Sequence, residues 1–298
     1  MANLVKKIRT SSGDLQIDYN ALANLPTINN NMLINGDFKI NQRGSTNYIQ
    51  TNTWKYSVDR WRYIGLMSVN VNSSGTVTIS KSNNNDQTYF AQALEDVYTS
   101  GSFVFSFCVK AISGTLSAYI DSGGGSVLTV TSPGTYSVSA PNGAKVAVFR
   151  LDGSTTSVEL SWAKLEQGTV ATPFIPRLRG EELALCQRYF CIMGGIRAPG
   201  VEEDKAANTF TYAIPRNCEM AKSPSISIHG TTTTNSTDGI CVRTIGCLLL
   251  PGFTFSYSVR NRELLIVAKS SSTLTNSCFE TQLYINDAFK IYLDAEIY

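Results

Sequence analysis

Two aromatic residues in the N-terminal part of the chain, Trp54 and Tyr56, have the type and spacing of a sugar-binding platform. Side chains two residues apart in an extended strand lie on the same face, so the two rings offer one apolar surface. A pyranose ring can stack on such a surface. The alternative interpretation places both rings in the hydrophobic core, because tryptophan is on average a highly buried residue.

Two segments rich in hydroxyl and amide side chains are further candidates for binding a sugar. They read TTTTNSTDG at residues 231–239 and SSSTLTNS at residues 270–277. Loops on a rigid β-scaffold commonly carry binding residues, although solvated connections without a ligand have a similar composition. The residues that we expect to contact a ligand in these loops are Thr233, Asn235, Asp238 and Asn276.

The sequence gives little evidence for an arrangement of catalytic residues. His229 is the only histidine, and SISIHG is typical of the end of a strand. A Ser–His or Cys–His pair would have to use this residue, and the sequence contains no nucleophile elbow. Two carboxylates in one cleft can hydrolyse a glycosidic bond, and the sequence does not exclude such a pair. We expect no enzymatic activity and no cofactor.

Asp37, beside Asn35 and Gly36, and Glu159 are candidate calcium ligands. Calcium takes several oxygen ligands, usually with more than one carboxylate among them. The alternative is that Asp37 accepts hydrogen bonds from backbone amides of its own turn. We expect the turn and no metal.

The seven cysteines are odd in number and include no CxxC pair, which speaks against a metal site. We expect reduced, buried thiols in a protein made in a cytosol, the alternative being a disulfide framework. The first residues lack the apolar core of a signal peptide, and no apolar run is long enough to span a membrane. A net charge of +2 gives no strong field for nucleic acid.

The composition favours strands and turns. Only 16% of the residues are charged, so surface polarity comes from Ser, Thr, Asn and Gly. Short alternating runs such as SFVFSFCV are separated by Gly, Pro and Asn turns. The pattern predicts an all-β protein with an N-terminal extended arm (residues 1–31), a jelly-roll β-sandwich (32–176), a short linking helix (177–191) and a second, C-terminal β-sandwich (192–298).

The predicted helix covers residues 181–190. Two glutamates lie in its first turn, where they oppose the positive end of the helix dipole. Leu183, Cys186 and Phe190 form an apolar stripe along it.

The N-terminal arm has too few apolar residues for a core of its own. Leu15, Ile17 and Tyr19 alternate along one side, and Leu22 follows after a turn. The arm is either a flexible tail or a segment that becomes ordered against partner subunits.

The triplet Asp59-Arg60-Trp61 has two interpretations. Trp61 can lie under a sugar, or it can be buried in the sandwich while Asp59 pairs with Arg60 or Arg62. We favour the structural interpretation.

The segment IDYNALANLPT in the N-terminal arm looks like one found near the start of bacteriophage fibre modules. Three further segments resemble a module of bacteriophage tail fibre and receptor-binding proteins, and the resemblance covers roughly residues 13–190. They read NMLINGDFKINQRG, SVDRWRY and WAKLEQGTVATPFIPRLRGEELALCQRYF. The resemblance implies a jelly roll akin to carbohydrate-binding modules, closed by a Trp-x-Lys-Leu-Glu strand and a proline-containing hinge, with a variable β-domain after it. The closing strand lacks the aspartate usual in the calcium-binding relatives of such modules.

The resemblance implies a non-enzymatic virion protein of the tail, made in the host cytoplasm. The arm, with Leu15, Ile17, Tyr19 and Leu22, would attach to tail or baseplate proteins, and the C-terminal domain would contact a host surface polysaccharide. A homotrimer is expected, with the stripe of the predicted helix on its axis. The alternatives are a structural connector of tail, baseplate or head without a receptor, and a polysaccharide depolymerase. We expect no nucleic acid partner and no membrane insertion.

Overall fold

The all-β prediction is confirmed: the chain is nearly all β, with several sheets and one short helix among its described residues. The computed structural model describes residues 6–10, 13–17, 31–49, 51–81, 88–122, 125–204, 209–216, 218–229, 240–244, 249–250, 252–260, 262–271, 281–285 and 289–296.

Twelve described strands precede the helix. The first two form an antiparallel hairpin, and the other ten form one large sheet. The strands are β1 (Lys6–Thr10), β2 (Gly13–Ile17), β3 (Asn47–Tyr48), β4 (Thr51–Tyr56), β5 (Arg62–Gly65), β6 (Met67–Val71), β7 (Val77–Lys81), β8 (Thr88–Tyr98), β9 (Phe103–Asp121), β10 (Leu128–Val130), β11 (Gly134–Ala140) and β12 (Ala144–Gln167).

The large sheet curls because its two longest strands take part in both of its halves. The first part of β12 pairs with β8 and the later part with β7, while β9 pairs with β12 along both parts. The register shifts between Asp152 and Ser157, and Gly114 and Gly153 have φ values of 91° and 73°. Such bulges bend a strand. The inward side chains of both halves therefore share one hydrophobic cluster.

Aromatic rings fill the centre of this cluster. Trp61 is completely buried and stacks on Phe90 with the ring centroids 5.0 Å apart. Phe38 packs against Trp61 at 5.1 Å, and Phe149 contacts both Phe105 and Phe107. Trp61 is thus a core residue, as the structural interpretation of its triplet predicted.

The Asn-Gly-Asp-Phe segment forms a tight turn under the closing strand. Asn35 and Phe38 adopt positive φ values of 57° and 60°. A Cβ on Gly36 would lie 2.5 Å from the carbonyl oxygen of Ala163, so only glycine fits. The indole Nε1 of Trp61 donates to the carbonyl oxygen of Asn35 at 2.9 Å. The turn is therefore a structural element that joins the start of the sandwich, at Gly36, to its closing strand, at Ala163.

The proline-containing linker folds back along the closing strand. The rings of Trp162 and Phe174 stack in parallel, 4.8 Å apart. The buried Lys164 and Glu166 form an ion pair of 3.1 Å, and Glu166 accepts the backbone amide of Thr172 at 2.8 Å. These contacts fix residues 172–174 on the sandwich, so this part of the predicted hinge is immobilised.

The helix α1 (Arg179–Gln187) begins two residues before the predicted one and ends three residues earlier. Cys186 and Phe190 are buried inside the chain, and Leu183 is half-buried. The side chains of Cys186 and Phe190 are therefore enclosed by their own chain. The predicted contact of the stripe with other chains stays a prediction. Glu182 is also buried: it pairs with Arg177 at 3.1 Å and accepts the amide of Asn35.

In the described part of the chain after the helix, three smaller sheets enclose a second hydrophobic cluster. Their strand orders are β13-β23-β17, β14-β22-β18-β19 and β15-β16-β21-β20. The strands are β13 (Phe190–Met193), β14 (Ile196–Pro199), β15 (Val201–Asp204), β16 (Thr209–Pro215), β17 (Ser225–His229), β18 (Ile240–Thr244), β19 (Leu249–Leu250), β20 (Phe253–Arg260), β21 (Glu263–Ser270), β22 (Thr281–Ile285) and β23 (Lys290–Asp294).

A buried ion pair joins the end of the chain to the sandwich. Arg60 is 1% exposed and Glu296 is completely buried. Their side chains meet at 2.8 Å, and the guanidinium also donates to the carbonyl oxygen of Ala93 at 2.7 Å and lies 3.7 Å above the ring of Tyr189. The positive φ of Arg60, 71°, directs its own backbone amide to Glu296 at 3.3 Å.

Asp59 faces Arg43 at 3.6 Å, not Arg60 or Arg62 as expected. Sequence proximity was misleading, because the partner of Arg60 lies 236 residues away. We call Arg43, Asp59, Arg60, Asp294 and Glu296 the junction cluster. The predicted division of the chain into four segments stays a prediction.

The contact of Gly36 predicts that Gly36→Ala lowers the free energy of unfolding by about 2–3 kcal/mol, because the methyl group overlaps a backbone oxygen. Gly180→Ala is the matched control, since its Cβ meets no atom within 4 Å. It should change stability by at most about 1 kcal/mol, upwards. Urea unfolding measures both, and equal stabilities would contradict the close contact.

The buried ion pair predicts that Glu296→Gln lowers the free energy of unfolding by about 3–5 kcal/mol, because it leaves the buried Arg60 guanidinium without the carboxylate that it contacts. Arg60→Met combined with Glu296→Leu should recover most of this loss. Glu181→Gln, at an exposed position, should cost less than about 1 kcal/mol. Thermal unfolding of the wild type and the three variants gives the measurement, and a double variant that is as unstable as Glu296→Gln, or less stable, would contradict the pairing.

Candidate glycan-binding face

The predicted aromatic platform is only half available on the surface. Trp54 is half-buried on β4. Tyr56 lies opposite Arg62 in the strand register but is only 8% exposed, because the guanidinium of Arg43 covers its ring at 5.4 Å. Tyr56 therefore belongs to the boundary of the junction cluster, and Trp54 must find other partners if it is to contact a ligand.

Two tyrosines on neighbouring strands provide such partners. Tyr89 lies opposite Arg150, between two buried residues, and its ring centroid is 6.3 Å from that of Trp54. Tyr119 lies opposite Val148 on the next strand pair. Because Phe90, the neighbour of Tyr89, faces the core, alternation directs Tyr89 to the outer face. Both tyrosines are half-buried.

The indole of Trp54 is held in place by a cation. The guanidinium of Arg62 lies 4.4 Å from its ring centroid, a favourable cation–π geometry. Burial lowers the pKa of Arg62, and the nearby Tyr56 opposes this effect. The contact orients the indole without a hydrogen bond.

A fixed polar group lies beside the rings. Arg150 donates through Nε to Asp152 at 2.7 Å and through Nη2 to the Ser117 hydroxyl at 3.3 Å. Ser117 also donates to the second carboxylate oxygen of Asp152. The hydrogen bond to Asp152 raises the pKa of Arg150, and burial followed by the nearby Tyr89 raises that of Tyr119. The arginine is thus charged, oriented and partly accessible.

We call Trp54, Arg62, Tyr89, Tyr119, Arg150 and Asp152 the aromatic face. Its residues come from five neighbouring strands, in the order β4, β5, β8, β12 and β9. Strands lie about 4.8 Å apart, so the face is about 19 Å wide. Rings for stacking and fixed donors and acceptors for hydroxyl groups are the combination that a sugar chain requires.

Asp37 and Glu159 do not form a shared site. Asp37 pairs with Lys39 at 3.0 Å, and Glu159 accepts a hydrogen bond from Thr76 at 2.7 Å. Within the described ranges, no group of three or more His, Cys, Asp or Glu side chains is placed to hold a metal ion. The ring of His229 stacks on Tyr292 at 4.1 Å, on the edge strand β17.

For several other predicted residues the structure gives little or no information about the predicted role. Leu15 and Ile17 are on β2, paired with β1, and their role in virion attachment stays a prediction.

Among the described residues, no helix is long and apolar enough to cross a membrane. The described cysteines Cys108, Cys186, Cys191, Cys218 and Cys241 are free thiols. Predicted site residues outside the described residues are Tyr19, Leu22, Thr233, Asn235, Asp238 and Asn276.

Sequence reasoning missed most of the aromatic face. Tyr89 and Tyr119 each alternate with core residues, in TYFAQ and in SAYID, and this alternation is the signal that could have placed them on an outer surface. Their proximity to Trp54 depends on strand order, which alternation does not encode.

No protein-family model matches the chain, and no curated protein sequence matches it significantly.

Proposed function

We propose that the chain is a non-enzymatic tail fibre or receptor-binding protein of a bacteriophage, which adheres to host surface glycan. The observation that carries the proposal is the aromatic face, where the Trp54 and Tyr89 rings lie beside the Arg150–Asp152 pair on a sheet. The resemblance of the three sequence segments to a fibre module supports the same function.

The face can recognise a sugar by two complementary contacts. The apolar side of a pyranose stacks on an aromatic ring, while its hydroxyl groups exchange hydrogen bonds with Arg150 and Asp152. The positive charge of Arg150 is balanced by the negative charge of Asp152, so the site suits a neutral sugar unit. The sheet supplies a fixed background, which reduces the entropy lost on binding.

Adhesion would then depend on several copies of the site. A single shallow sugar site binds weakly, and linked copies multiply retention without any new contact. A homotrimer with the arm on the tail or baseplate and the C-terminal sheets at the distal end is the arrangement that we propose. The loops at residues 231–239 and 270–277 are proposed as a second contact with the host.

A structural connector is the second candidate function, and one observation favours it. Val170 and Leu178 in the linker are 74% and 80% exposed. Exposed apolar side chains of this size suit burial against another protein. A connector would use them to bind a neighbouring virion protein and would not need the aromatic face.

The adhesin proposal predicts that Trp54→Ala and Tyr89→Ala each lower adhesion of the full-length chain to host cells about ten-fold, because each removes a stacking surface. Fluorescently labelled protein on intact cells gives the measurement. Lys55→Ala is the control, since this neighbour of Trp54 is exposed and lies outside the aromatic face. Unchanged adhesion of both aromatic variants, with folding verified, would refute the role of this face.

Full-length protein is required in this experiment. A chain ending at Phe190 would lack Glu296 and leave Arg60 without the carboxylate it contacts. Loss of adhesion by such a fragment would then report misfolding of the sandwich.

The connector alternative makes a separate prediction. Val170→Asp with Leu178→Asp should then abolish incorporation of the chain into virions, while Trp54→Ala should have no effect on adhesion. Quantification of the protein in purified virions, beside the adhesion assay, separates the two functions. Under the adhesin proposal the linker variant keeps its adhesion as a purified protein.

A further inference from the structure

Asp59 is a buried carboxylate whose hydrogen-bond partners lie mainly in the sandwich. Its side chain has no solvent exposure. Its two oxygens accept hydrogen bonds from the backbone amide of Gln42 at 3.0 Å and from the Gln42 side chain at 2.5 Å. The same Gln42 amide group also donates to the carbonyl oxygen of Phe190 at 2.7 Å. One glutamine therefore links Asp59 to the first strand after the helix.

Arg43 is the nearest cation to Asp59, and three carboxylates share it. Besides Asp59 at 3.6 Å, it faces Asp294 at 3.6 Å and Glu296 at 3.4 Å. Its guanidinium also lies 3.9 Å above the ring of Phe190. Since its side chain is only 13% exposed, water screens these interactions poorly.

The junction cluster has more carboxylates than cations. It contains the two guanidinium groups of Arg43 and Arg60 and the three carboxylates of Asp59, Asp294 and Glu296. When all are ionised, one negative charge has no matching cation within the cluster. Burying such a charge is unfavourable.

Among the described residues, the other titratable groups around the cluster do not supply the missing cation. On α1, Cys186 has a pKa raised by burial, so its thiol stays neutral, and Glu182 is already paired with Arg177. On β8, Glu95 is paired with Arg188 at 2.5 Å. Burial raises the pKa of two nearby phenols, which are also neutral: those of Tyr48, to about 12, and Tyr189.

The surplus charge favours uptake of one proton. Burial raises the pKa of Asp59 from 3.8 to about 6, with Arg43 opposing the effect and Glu296 adding to it. A raised carboxyl pKa means that the stabilisation is fully present below pH 3.8 and is lost as the pH rises through about 6. With Asp59 neutral, Arg43 and Arg60 are matched by two carboxylates, both on the C-terminal tail.

We propose that the junction cluster makes the docking of the C-terminal tail on the sandwich proton-dependent. When Asp59 takes up one proton, it no longer attracts Arg43, which then interacts with Asp294 and Glu296 alone and binds the tail more strongly. Loss of the proton weakens this binding. The tail here means β23 together with Ala295 and Glu296. It is fixed by the amide of Ala295, which donates to the carbonyl oxygen of Tyr189 at 2.7 Å. This inference is independent of glycan binding.

Hydrogen exchange of the full-length protein tests the proposal. After correction for the intrinsic effect of pH, peptides covering residues 290–296 should be better protected at pH 5 than at pH 8, by up to about ten-fold, with the protection rising as the pH falls below about 6. That upper limit corresponds to a release of the tail that returns the carboxyl pKa from about 6 to its ordinary value of 3.8. Peptides from β9 and β12 provide the internal reference.

Two variants assign the effect. Asp59→Asn should keep the tail well protected at both pH values, and Asp96→Asn, which changes an exposed carboxylate on β8, should keep the wild-type difference. A persistent difference in Asp59→Asn would overturn the proposal, as would a wild-type tail whose corrected protection does not change between pH 5 and pH 8. If Asp59→Asn does not fold, the wild-type profile decides: corrected protection of the tail that rises as the pH falls below about 6 supports the proposal, and its absence overturns it.

Discussion

The buried charge of Arg60 is the constraint on which the two halves of the chain depend. A guanidinium that is only 1% exposed needs a carboxylate partner. Its partner among the described residues is Glu296, in the last part of the sequence. The sandwich therefore completes its own polar core with a residue from the last part of the chain. The junction between the two halves is consequently a packed, charged interface, and the linker beside it is held by Lys164 and Glu166.

The sequence predicted the strands well, because alternation and turn residues report directly on a sheet with one buried face. It also predicted the helix to within a few residues and the burial of Trp61. It failed where a result depended on partners distant in the chain. The partner of Arg60 and the cover over Tyr56 are set by residues brought together only by the fold, and local patterns carry no information on them.

The segments that resemble a fibre module perform structural work in this chain. Gly36 permits a close backbone approach, Glu182 and Arg177 fix the helix start, and Trp162 holds the linker. The aromatic face lies outside these segments, except for Trp54's neighbour Arg62. Apart from Arg62, the scaffold and the proposed recognition surface are separate sets of residues, so the surface can change while the scaffold is kept.

Hydroxyl-radical footprinting with purified host surface polysaccharide tests the central claim most directly, because it reports on aromatic side chains in the intact protein. The account predicts that saturating polysaccharide protects Trp54, Tyr89 and Tyr119 from oxidation, while Tyr136, on β11 outside the aromatic face, is unchanged. Equal oxidation of the three residues with and without polysaccharide, in a protein that still adheres to cells, would contradict it.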